Sequence, residues 1–95
     1  MSGETQWELR LYVAGSSPRS LRAVENLRRL CDELLPDAHV VEIVDLLDQP
    51  ERARQDDILA VPTLVRRAPS PARRVIGDLS DRDQVVVHLD LPRPS

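Results

Sequence analysis

The residues able to do chemistry are few and poorly placed for it. Cys31 is the one cysteine among 95 residues, which excludes an intrachain disulfide, a CxxC redox pair and a cysteine-based zinc site. It lies on the apolar stripe of a helix, so an inert buried thiol is expected. Asp45, Asp48, Asp56 and Asp57 form an acidic stretch, but their spacing matches no cation-binding loop. His39 and His88 stand apart from other ligand-type residues and read as ordinary surface or edge positions. Ser16 and Ser17 precede Pro18, where Ser17 is best explained as a helix cap. There is no nucleophile–base pair, glycine-rich phosphate loop or metal cluster. The expectation is a chain without catalytic, cofactor-binding or metal-binding residues.

Charge narrows the remaining classes. All 13 basic residues are arginine, and net charge is −3; an acidic balance argues against general nucleic-acid binding, which requires phosphate neutralisation. Arg66, Arg67, Arg73 and Arg74 flank one proline-rich turn, either as a solvated hairpin or as a basic patch for a partner, since arginine suits interface hot spots. Arg22 has the same standing. The chain is 41% apolar and 31% charged, values of a globular domain rather than a disordered one. No stretch approaches the ~20 apolar residues of a membrane span. Residues 1–8 lack the apolar core of a signal peptide, so a cytoplasmic location is expected.

The elements that position these residues follow from periodicity. Trp7, Leu9, Leu11 and Val13 alternate with Glu8, Arg10 and Tyr12, a strand pattern. Gly15 to Pro18 breaks it, and Pro18 suits a first helical position because it has no N–H to lose. Leu21, Val24, Leu27, Cys31 and Leu34 then recur at helical spacing, with Arg22, Glu25, Arg29 and Glu33 facing outward. Val40 to Val44 reads as a strand buried on both faces. Strand, helix, strand makes a parallel, right-handed βαβ unit. A poor second helix opens at Pro50, with only Ala53 to bury between Glu51 and Asp57. Val61-Pro62-Thr63-Leu64-Val65 is turn into strand, and Arg73 to Gly77 its antiparallel partner. The end is contested. Ser80 with Asp83 predicts a capped helix, while Val85, Val87, Leu89 and Leu91 alternate as a strand would. Residues 1–6 are expected to be a flexible N-terminus, 7–91 one domain, and 92–95 a proline-rich tail, with Leu91 to Ser95 frayed.

With the last segment helical, the order is βαβαββα, which resembles the thioredoxin-like fold. In that fold Val61-Pro62-Thr63 falls where a cis proline belongs, and Gly15 to Pro18 where the CxxC pair would lie; Gly-Ser-Ser-Pro stands there instead. A more specific resemblance covers residues 7–91. Leu9-Arg10-Leu11-Tyr12-Val13-Ala14-Gly15, Ile58-Leu59-Ala60-Val61-Pro62-Thr63-Leu64, Arg73-Arg74-Val75-Ile76-Gly77-Asp78-Leu79-Ser80 and Leu89-Asp90-Leu91 resemble the KaiB family, as do Pro18, Ser20 and Arg22. Where family members often carry Tyr, Lys and Gly, this chain has His39, Glu42 and His88.

That resemblance implies a non-catalytic clock or clock-like protein that binds the ATPase ring of a hexameric KaiC-type protein, with KaiA as a co-binder and a SasA-like kinase as competitor. It implies two folds: a βαββααβ ground state, often a homotetramer, and a monomeric thioredoxin-like state that binds the ring. The switching half lies after residue ~50, where competing local signals suit two near-degenerate packings. Arg22, Arg73 and Arg74 are the implied partner-binding residues; Pro62, Ser80, His88 and Asp90 are the implied fold-switch and structural positions. The exchange of Gly for His88 leans helical, and Pro92 and Pro94 resist a terminal strand, so the thioredoxin-like state is expected. The alternatives are a thioredoxin-like glutathione-binding module or enzyme without a CxxC centre, using Ser16 or Ser17, and a small oligomeric scaffold.

Overall fold

A computed structural model describes residues 6–35 and 39–92. Its elements are β1 (Trp7–Val13), α1 (Pro18–Leu34), β2 (His39–Asp45), a 3₁₀ segment (Pro50–Asp56), β3 (Thr63–Ala68), β4 (Arg73–Ile76) and α2 (Arg82–Leu89). This is the thioredoxin-like order, with the second helix reduced to a 3₁₀ segment, and not the βαββααβ order. The sheet order is β2-β1-β3-β4. β1 pairs in parallel with β2 and antiparallel with β3, and β4 closes a hairpin on β3.

Both helices cover one face of the sheet. Leu9, Leu11, Val13, Leu64 and Val75 meet Ala23, Leu27, Leu30, Cys31 and Leu34 of α1 and Val85, Val86 and Leu89 of α2 in one apolar core. α1 starts as its sequence demands: the Ser17 hydroxyl accepts from the Ser20 N–H, and Pro18 occupies the first turn. Its buried stripe is rotated from the expected one. Leu21 is 57% exposed, and Ser20 is buried in its place, with its hydroxyl bound by Ala14 N–H and Ser17 Oγ. Two polar partners let a serine occupy a core position.

Three further expectations are corrected. β2 is an outer strand, not one buried on both faces: Val40 and Ile43 are about half exposed, and only Val44 is fully buried. The helix at the end is capped by Asp81, not Ser80; the Asp81 carboxylate accepts from the Gln84 N–H. Ser80 belongs to the preceding turn, where its N–H donates to Asp78 Oδ1, so helix entry falls one residue later. Leu91 is not frayed but buried in the core. Pro92 is exposed; residues 1–5 and 93–95, which hold most of the expected flexible ends, lie outside the described residues.

Candidate functional site

The three arginines expected to bind a partner all border the outer strand β4, and all are exposed. Strand alternation separates two of them. Arg73 lies on the helix face with Val75, opposite Arg66 in register; Arg74 lies on the other face, opposite Val65. Arg74 donates to the Asp57 carbonyl at 3.0 Å. Arg22, one turn into α1, donates to Asp78 Oδ2 at 3.1 Å, just past the end of β4. The structure therefore strings the three along an edge rather than gathering them into one patch. Together they place positive charge at the Asp78 turn and on both faces of a short edge strand. Charged residues on such an edge also discourage indiscriminate strand pairing.

Asp78 organises the turn at one end of that edge. Its carboxylate is bound by Ser80 and Arg22, which hold its pKa down to about 2, the Ser80 hydroxyl being the larger cause. Its backbone carbonyl accepts from the Asn26 amide at 2.9 Å. Leu79, next along, is buried at φ 66, a strained conformation for a branched side chain that surrounding contacts must impose.

Arg66 departs most from the basic-patch reading. It is 3% exposed. Its guanidinium donates to the carbonyls of Leu89 at 2.8 Å and Pro71 at 2.6 Å, with Asp90 O at 3.5 Å, and its central carbon stands 5.6 Å from the Trp7 ring centroid. Desolvation and the nearby Arg73 charge lower its pKa, and the group remains a cation. No sequence rule marks one arginine of an Arg66-Arg67 pair as buried. The one local signal is alternation, which puts Leu64 and Arg66 on the same face.

Two carboxylates of the acidic stretch, Asp45 and Asp56, are taken up by structural contacts. Asp45 Oδ1 accepts from the N–H groups of Gly15 and Leu47, both at 2.9 Å. Gly15 has φ 58, and a Cβ there would lie 2.7 Å from Leu47 Cδ1, so glycine takes this left-handed turn without strain and without displacing Leu47. Asp56 accepts from the Tyr12 hydroxyl at 2.7 Å and lies 3.4 Å from Arg10 Nη1. Arg10 also reaches Gln55 and Glu42, both at 2.9 Å, and Glu42 accepts from Arg52 at 2.7 Å. This network was missed because Arg10, Tyr12, Glu42, Arg52 and Asp56 share no local spacing; parallel pairing sets Arg10 beside Glu42 and Tyr12 beside Val44. Among the described residues, no group of three His, Cys, Asp or Glu is arranged to hold a metal.

The remaining candidates have structural roles. Cys31 is buried, and desolvation pushes its thiol up to about 11, the opposite of an activated nucleophile. Ser17 Oγ is committed to Ser20. Pro62 is buried, and the Val61–Pro62 peptide is cis, as are those before Pro69 and Pro71. His88 is exposed on α2, its Nδ1–H donating to the Gln84 carbonyl. His39 is half-buried and donates from Nδ1 to the Leu35 carbonyl. Asp90 ends α2 at φ 50. A groove of about 230 Å³ between α1 and β2 is lined by Val24, Cys31, Val41 and Ile43 with Arg28 and Asp32. No helix among the described residues is long and apolar enough to cross a membrane.

Comparison with known proteins gives this architecture its relatives. The N-terminal domain of Synechococcus elongatus SasA superposes with a TM-score of 0.73 over 95% of this chain and 89% of that one, at 20% identity. Mitochondrial thioredoxin 3 of Saccharomyces cerevisiae superposes at 0.71 over 92% and 79%, at 16% identity. Both likenesses establish a thioredoxin-like fold. By sequence, the chain is 46% identical over 83 residues to circadian clock protein KaiB3 of Synechocystis, covering 87% of this chain and 81% of that protein. It is 44% identical over 91 residues to circadian clock oscillator protein KaiB of Prochlorococcus marinus, covering 96% and 87%. The family model described as the KaiB domain matches residues 10–91. The chain belongs to the KaiB family.

Proposed function

We propose that this chain is a non-catalytic regulator that docks, in its thioredoxin-like form, on the ATPase ring of a KaiC-type hexamer in a circadian or related timing system. The observation that carries this reading is the KaiB domain match across residues 10–91, realised in the βαβαββα order that the resemblance associates with ring binding. The buried, high-pKa Cys31 and the committed Ser17 hydroxyl support a binding rather than a catalytic role. In this proposal Arg22, Arg73 and Arg74 contribute the docking charge along the β4 edge, KaiA is a co-binder, and a SasA-like kinase competes for the ring. The docked form is a monomer and needs no cofactor or metal.

The test is co-migration of the chain with a KaiC-type hexamer on size exclusion in the presence of ATP, run beside a glutathione titration. A stable complex without glutathione binding supports docking. Glutathione binding without a complex supports the thioredoxin-like binding module instead. In the triple variant Arg22→Glu, Arg73→Glu, Arg74→Glu, docking should weaken by ~2 kcal/mol or more, while exposed substitutions leave stability within ~0.5 kcal/mol. Unchanged affinity would remove the three from the docking surface.

A further inference from the structure

Local preference leaves residues 82–91 undecided. Val85, Val86 and Val87 favour extended backbone, and α2 has only eight residues, well short of the length at which an isolated helix holds itself. Burial does not decide either. A helix puts Val85, Val86 and Leu89 on one face, and a strand would put Val85, Val87, Leu89 and Leu91 on one face, a comparable apolar set. What separates the two conformations is how the carbonyls at the end are satisfied.

The C-terminus of α2 leaves two of these groups to an outside donor. The Leu91 N–H returns to the Val86 carbonyl at 3.0 Å and the Asp90 N–H to that of Val87 at 3.3 Å, the paired bonds of a Schellman motif with Asp90 in the left-handed position. Leu89 O and Asp90 O lie beyond that motif, and both face Arg66 Nη1. Successive carbonyls of an extended chain point to opposite sides, so a single guanidinium nitrogen meets both only in the turned conformation. The other terminal nitrogen holds Pro71 O in the β3–β4 turn. Arg66 Nε is buried without a hydrogen-bond partner, so further loss of acceptors would leave a buried cation still less compensated.

We propose that Arg66 is a positioning residue that keeps residues 82–89 helical and 90–91 in the turn that caps them, by closing the end of α2 from β3 and tying it to the β3–β4 turn. The Leu89 carbonyl and the guanidinium are partners only while α2 stays wound. The proposal stands on this geometry and does not depend on docking to an ATPase.

Amide hydrogen exchange and Cα chemical shifts of the full chain test it. In Arg66→Met, the amides of Val86 to Leu91 should exchange at least tenfold faster relative to those of Leu27 to Leu34 in α1, with Cα shifts of Val85 to Leu89 moving toward strand values. Arg66→Lys keeps the charge but not the fork, and should give a smaller change at the same amides. Arg67→Met, at the exposed neighbour, should leave both helices unchanged. Unaltered protection at 86–91 in a folded Arg66→Met chain would overturn the proposal. So would equal loss across α1 and α2, or the same effect from Arg67→Met. Should Arg66→Met fail to fold, Arg66→Lys decides by the same contrast between α2 and α1.

Discussion

The connections that follow β1 and β2 are held to the sheet by different forces. α1 buries Ala23, Leu27, Leu30, Cys31 and Leu34 against the strands. The 3₁₀ segment on the other face buries none of its seven residues. Its attachments are Asp56 to Tyr12 and Arg10, Gln55 to Arg10, and Arg52 to Glu42. Burial is insensitive to salt and mild acid, whereas a charge pair open to solvent, as Arg52–Glu42 is on its carboxylate side, is screened and titrates. One sheet therefore carries a permanent layer and a conditional one, and the expected poverty of the second helix is offset by polar contacts rather than apolar ones.

Cutting into the permanent layer should cost most. Leu27→Ala opens a cavity beneath α1 and should lower stability by about 2–5 kcal/mol in denaturant unfolding. Tyr12→Phe removes one hydroxyl and leaves Asp56 short of a donor within a buried setting; about 1–2 kcal/mol is expected, with faster amide exchange at Ile58, whose N–H bonds the Ala53 carbonyl. If that exchange did not change, the Tyr12–Asp56 bond would not be what anchors the segment.

α2 stands between the two cases, with three buried residues and a cation at its end. His88→Gly should cost it only about 0.5 kcal/mol, the propensity difference within a helix, read as reduced protection in α2 with α1 unaffected. A larger loss would mean that helix propensity carries more of α2 than its tertiary contacts do.

The smallest effect on global stability should come from solution conditions. Glu42 is held below the ordinary carboxylate range, first by its hydrogen bond from Arg52, and Asp78 at about 2. A depressed folded pKa contributes stability above the unfolded carboxylate value near ~4, and that contribution is lost as pH falls through the folded one. Below pH ~4, or in ~1 M salt, exchange in residues 50–58 should rise while α1 stays protected. Protonation of Asp78 should act only toward pH ~2, loosening the Leu79 turn. Simultaneous loosening of α1 and the 3₁₀ segment would erase the distinction between layers.

Much of the first half was legible in the sequence. The β1 alternation, the Ser17–Pro18 helix entry and the Glu25–Arg29 pair at 2.6 Å are local, and local spacing encodes them. Strand order is not local. Val40 to Val44 has the composition of an inner strand, but β1 takes β3 as its other neighbour and leaves β2 outermost. The partners of Tyr12 and Arg66 were not legible for the same reason: only tertiary pairing gives the first a carboxylate and the second a set of carbonyls. At residues 80–89 the competing signals were both visible. The helix prevails with Asp81, one residue past the expected cap. For the partner-binding candidates, strand alternation already separates Arg73 from Arg74, whereas which of them shares the helix face with Val75 came only with the fold.

The placement of Trp7 against Arg66 has a spectroscopic consequence. The chain has one tryptophan, one tyrosine and no phenylalanine, so red-edge emission comes from a single indole. That indole is half-buried with a guanidinium over its ring, and the same guanidinium grips the last carbonyls of α2. Intrinsic fluorescence therefore reads the residue that joins the start of β1 to the end of α2, so any loosening of that end would be seen in real time without attaching a label.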